Sequence, residues 1–196
     1  MSANMKMVSM DEAAEQVRVT AVRLALMHIA FARTLVEELG EKKGKETALK
    51  AIMEYGRLVG ERNKAGAQDM PHYGLHRTYA YRDKAFTDGR DMPLAEGETF
   101  DYSNFKVHGC ALSEVFLEYD EPELGCLYCY VDAAKSMGAD PSHKLMHTAC
   151  ELLGDDCCSF DLKPTTQKEQ KDFKAKNLKW KDADPILVEG SKIDKG

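Results

Sequence analysis

The sequence predicts an α+β fold in which an N-terminal helical hairpin packs on an antiparallel sheet, with two further short helices. Three observations lead there. Apolar residues recur every three or four positions up to about Asn63, the pattern changes to alternation from about Phe100, and every cysteine falls after residue 109. The two periods set the fold, and the cysteines place the chemistry in the second half of the chain.

The first helix runs from Met10 to Leu39, with Val17, Ala21, Leu24, Phe31 and Leu35 on one face and Gly40 at its end. After a basic turn, EKKGK, the period resumes at Leu49, Ile52, Met53, Gly56 and Val59. Residues 10–63 therefore read as a hairpin whose two helices approach at Gly56. His28 sits on the apolar side of the first helix, either as a hydrogen-bonded core histidine or as a group reaching a pocket. Residues 66–98 are polar and irregular, with His72, His76 and Arg77 set among tyrosines, and such a loop wraps the surface or covers a site. His72 and His76 have a helical metal-binding spacing but lack the glutamate of an HExxH element.

TFDYSNFKVHGC alternates through Phe100, Tyr102, Phe105 and Val107 as a strand and delivers Cys110 to the start of a helix, ALSEVFLEYD. PELGCLYCYVDAAKSMG reads as a second short helix, opened by Pro122 in its first turn. HKLMHTACELL and CCSFDLK alternate as two strands of a hairpin that turns at Gly154-Asp155-Asp156. One domain thus spans residues 1–164, its Cys-rich half at 99–164. Residues 165–196 form an arm that docks on the body or on a partner subunit, in preference to a partly disordered end, with Phe173, Trp180, Ile186 and Leu187 too widely spaced for a clean helix face.

An apolar share of 43% with 31% charged residues is a globular composition, not a disordered one. No apolar run approaches the roughly 20 residues of a membrane helix, and the first residues lack a secretory layout, so a cytoplasmic protein with no membrane partner is expected. The 33 acidic against 27 basic residues provide no cationic field for phosphates, which argues against nucleic acid. A core of this size in a reducing compartment needs no disulfide staples, so the six cysteines read as thiols.

Cys110, between a strand and a helix, is the best nucleophile by position, because helix N-terminal amides favour a thiolate. Cys129 and Asp132 lie three residues apart on one helix face, where a carboxylate disfavours a thiolate unless the acid is protonated or the thiol is a spectator. Cys126-Leu-Tyr-Cys129 is a CxxC, but it lies inside a helix-like stretch, not at a helix start after a strand. Zinc would need a second ligand pair, and adjacent Cys157 and Cys158 on a strand point to opposite faces. Cys126, Cys150 and one of Cys157 and Cys158 read as buried filler. No metal and no cofactor is expected.

The order HGCALSEVFLEYD, LGCLYCYVD, SMGADP, HTACELLGDDCCSF resembles the L-2-amino-thiazoline-4-carboxylic acid hydrolase-like family of small bacterial proteins over residues 104–162. Its Cys-x-x-x-Glu element falls on Cys110 and Glu114, its Tyr-Cys-x-x-Asp element on Cys129 and Asp132, and its Gly-x-x-x-Cys-x-Phe hairpin on Gly154, Cys158 and Phe160, with Thr148 on the strand before it. His147 stands where the family carries an arginine-like residue, and Cys150 where threonine is common. The resemblance implies a hydrolase that opens a small cyclic amidine or thiazoline. On that reading Cys110, Asp132, Cys129 and Glu114 are catalytic, and His147, Thr148, Cys158 and His28 bind substrate. Either the Cys110 thiolate adds to the electrophilic carbon while Asp132 or Glu114 protonates the departing atom, or Asp132 activates water and Cys110 lines the site. The alternative is a non-catalytic small-molecule or metal-binding sensor using the same Cys-rich pocket. The expected partners are a small-molecule substrate and a second copy of the chain, as a homodimer through the helical hairpin.

Overall fold

A computed structural model describes residues 10–65 and 106–193. Within it α1 (Met10–Leu39) and α2 (Glu41–Lys64) form the expected hairpin, joined through Gly40 alone. Gly40 has φ 80°, a left-handed conformation that reverses the chain in one residue at little steric cost. EKKGK is consequently the first turn of α2 and not a loop, a correction to the sequence reading. The irregular stretch at 66–98, with His72, His76 and Arg77, and the strand residues Phe100, Tyr102 and Phe105 lie outside the described residues.

After β1 (Lys106–Val107), α3 (Ala111–Glu118) and α4 (Pro122–Cys129) follow, with Pro122 in the first turn of α4. The stretch read as one helix after Pro122 is two: α5 (Val131–Ala139) begins after a break at Tyr130, a fully buried side chain. β2 (His143–Ala149) and β3 (Cys158–Pro164) make the predicted hairpin, and β1 adds to the outer edge of β3 in the all-antiparallel order β1-β3-β2. The N-terminal pair packs on this sheet with α5 in the seam between them. The close approach expected at Gly56 is to α5, not to α1: a Cβ there would lie 2.6 Å from Cβ of Ala134 and 2.9 Å from the Val131 carbonyl oxygen. Only a residue without a side chain lets these two helices meet so closely.

Ala25, Ile29 and Ala32 carry the buried stripe of α1. Contrary to the sequence reading, Glu15–Leu39 is long and apolar enough, by length and composition alone, to cross a membrane. The core helix of a folded domain passes the same test; here α1 packs one stripe on α2, α3 and α4, and 22% of the apolar window is buried.

The C-terminal residues are helical: α6 (Gln167–Lys174), α7 (Trp180–Ala183) and α8 (Pro185–Ser191). Phe173, Leu178, Ala183, Leu187 and Val188 are buried in the common core. Thr166 caps α6 in a reciprocal box with Glu169. Glu169 also accepts a 2.5 Å hydrogen bond from the buried Lys144 of β2, which donates as well to the Asp182 carbonyl of α7. Burial raises the Glu169 carboxyl, but Lys144 and Thr166 outweigh it and bring its pKa to about 2. Because the folded value lies below the unfolded one, this stabilisation is complete above about pH 4.5 and is lost as pH falls toward 2. Glu169→Gln is therefore expected to cost on the order of 1–3 kcal/mol at neutral pH and much less at pH 3. Urea unfolding at the two pH values checks it, and equal losses at both would refute the linkage.

Candidate active site

Five elements converge on one buried cluster. The C-terminal end of α4 supplies Cys126 and Cys129, and the first turn of α5 supplies Asp132. β2 and the residue after it supply His147 and Cys150, β3 supplies Cys158, and the junction of α7 and α8 supplies Asp184. On β2 the inward positions alternate through Leu145 and His147, and His147 lies opposite Phe160 on β3 with ring centroids 4.6 Å apart. A bulge follows, because His147 pairs with Phe160 while Ala149 pairs with Ser159. The extra residue bends the strand and delivers Cys150 into the cluster.

Asp184, fully buried, fixes His147. Its Oδ2 accepts both the backbone N–H of His147 at 2.9 Å and ring Nδ1–H at 2.8 Å. A carboxylate can only accept, so Nδ1 carries a proton and Nε2 is the ring nitrogen left for a second partner. Nε2 faces Oδ2 of Asp132 at 4.0 Å, while Oδ1 of Asp132 accepts from Lys135 at 2.8 Å. A ring nitrogen of His147 and the sulfurs of Cys129 and Cys150 all lie within 4.8 Å of one another.

The electrostatics centre on Cys150. Hydrogen bonds from the thiols of Cys126, Cys129 and Cys158 hold its pKa far below the usual thiol range, against the cost of burial and with help from His147. Hydrogen bonding to Cys150, together with burial, raises the pKa of each of the three donors. Burial opposes a charge on His147, yet Asp184, then Asp132 and Cys150, hold its pKa above the ordinary imidazole value.

The structure thus brings together Cys129, Asp132, His147 and Cys158 of the expected site residues. Cys110 is half-buried at the start of α3, close enough to Cys158 to help raise that thiol's pKa. The helix-start amides next to it are occupied: Glu151 accepts from the N–H of Gly109 at 2.6 Å and from that of Cys110 at 3.0 Å. The remaining three stand apart. Glu114 is exposed and paired with Arg18 at 3.2 Å, and Thr148 is exposed and bonded to Ser159 at 2.7 Å. His28 donates from Nε2 to the Leu124 carbonyl at 2.7 Å and stays neutral, its pKa lowered by burial. It lines an apolar cavity of about 440 Å³ between α1 and α2, to which no cluster residue contributes. All six cysteines are free thiols.

Three members of the cluster were not among the expected site residues. Cys126 and Cys150, read as filler, are fully buried within the cluster. A signal for them existed: Cys126-x-x-Cys129 is followed after 17 residues by His147-x-x-Cys150, the paired spacing of a metal or thiol site. Asp184 had no such signal, since it reaches His147 from the tail.

A search of the curated proteins finds no match, and neither does a search of the solved structures. Residues 20–162, from the inner half of α1 to β3, match the family described as L-2-amino-thiazoline-4-carboxylic acid hydrolase, and the chain belongs to that family.

Proposed function

We propose that this protein hydrolyses a small cyclic amidine of the 2-aminothiazoline type at the cluster of Cys129, Asp132, His147 and Cys150. The family is named for a hydrolase. The observation that supports this reading of the site is the buried Asp132 carboxylate facing His147 at 4.0 Å, beside two thiols. Water adds through its oxygen to the ring carbon that bears both nitrogen and sulfur, and the pair of electrons of the C=N bond moves to nitrogen. Asp132 takes the water proton and passes it to that nitrogen. The new hydroxyl then becomes a carbonyl as the C–S or ring C–N bond breaks. Its proton travels by the same carboxylate to the departing heteroatom, leaving a carbamoyl product.

A covalent version, in which Cys110 adds first, is favoured by the position of that thiol at a helix start near Cys158. Glu151 counts against it, because it occupies the amides that would stabilise a thiolate and adds a negative charge beside it. Incubation with L-2-amino-thiazoline-4-carboxylate, followed by mass spectrometry and thiol titration, tests the reaction and identifies the bond broken. Cys110→Ser is expected to keep turnover within about tenfold, whereas a fall of orders of magnitude with the fold intact would establish the covalent route.

A further inference from the structure

We propose that Cys129, His147 and Cys150 are the three protein ligands of a thiophilic divalent cation, zinc first among them, with Asp132 standing beside its open position as the proton carrier. Two independent features support this. The three donor atoms already lie within 4.8 Å of one another, and tetrahedral zinc would draw them to about 3.5–3.8 Å, a small rotation for two cysteines and an imidazole. Separately, a ligating imidazole characteristically donates its other N–H to a carboxylate, which fixes the tautomer and aims the free nitrogen at the metal. Asp184 does this to Nδ1 of His147 at 2.8 Å, leaving Nε2 for a ligand.

The donor set also selects the ion. Thiolates with imidazole suit zinc and copper(I), and a hydrolytic reaction calls for the redox-inert one. Asp132 and Asp184, both buried, stand at the two nitrogens of the His147 ring, at 4.0 Å from Nε2 and 2.8 Å from Nδ1, so a cation there has two carboxylates nearby. Among the described residues, Cys126 and Cys158 do not belong to the group whose donor atoms all lie within 4.8 Å of one another, which leaves the fourth position open. A His-Cys-Cys zinc with a non-ligating carboxylate is a set that adds water to the amidine carbon of a nucleobase. A 2-aminothiazoline presents an amidine carbon of the same kind. The catalytic half of the inference rests on the hydrolase reading above, and the binding half does not.

The full-length protein is stripped with a chelator and titrated with cobalt(II) and zinc. One equivalent per chain is expected, with zinc bound more tightly than about 100 nM. Cobalt should show thiolate charge-transfer absorption of the intensity of two sulfurs, with the visible bands of a tetrahedral site. Cys129→Ser and His147→Gln, folded by circular dichroism, should lose the metal, while Cys126→Ser and Cys158→Ser keep one equivalent. Chelation should abolish turnover and zinc should restore it. No stoichiometric metal in the wild-type protein overturns the site. Loss of metal in Cys126→Ser or Cys158→Ser, with turnover untouched by chelation, overturns the open catalytic centre in favour of a closed structural one. One equivalent of metal with no cyclic amidine consumed upholds the site and overturns the hydrolase reading.

Discussion

Asp132→Asn is expected to lower kcat on a 2-aminothiazoline substrate by about 10²–10⁴-fold, with a much smaller change in KM. Asparagine fills the same volume and can still accept from Lys135, so the first turn of α5 keeps its geometry. It cannot take a proton from water and return it to the departing atom. Because Lys135 is only half-buried, water can satisfy the ammonium when the charge opposite it is gone. A melting temperature within a few degrees of wild type should accompany the kinetic loss. Turnover within a few-fold of wild type would remove Asp132 from the chemistry and return attention to Cys110.

Asp184→Ala carries the largest expected loss of stability, about 3–5 kcal/mol. The carboxylate is fully buried and accepts two hydrogen bonds from one residue, the backbone N–H and the Nδ1–H of His147. Alanine strands both donors away from water and opens a void at the α7–α8 junction. Asp184→Asn retains a carbonyl oxygen and should lose less than half as much. It should also disturb the site, since the amide can turn its NH₂ toward Nδ1 and favour the other tautomer. Urea denaturation of the two variants measures the difference. A loss under about 1 kcal/mol for alanine would mean that His147 is held by its packing on Phe160 and not by Asp184.

Much of the fold was legible because its two periods are clean. α1 and α2 are long enough for a buried stripe to repeat several times, and β2 and β3 alternate across most of their length. The break at Tyr130 was not legible, since Cys126 to Met137 supply apolar residues on every side of the chain and the helical period runs through the interruption unmarked. The tail was read as an arm for the opposite reason. α7 spans only four residues and α8 seven, too few turns for a face to declare itself.

For the candidate site, sequence order alone sufficed to pick out Cys129 with Asp132, and Cys158 in its hairpin, because those pairings are local and their spacing survives folding. It also placed Glu114 and Thr148 in the same set, since spacing along a helix or strand does not say which face the core takes. In the structure both are exposed on the solvent side of their elements. What only the tertiary structure decided is the centre of the cluster. Cys150 gathers three thiols through a strand bulge, and Asp184 reaches His147 across 37 residues. Local sequence determines which groups a helix or strand can present. Which of them meet depends on how α8 and the sheet pack, and that is settled by burial of side chains far apart in the chain.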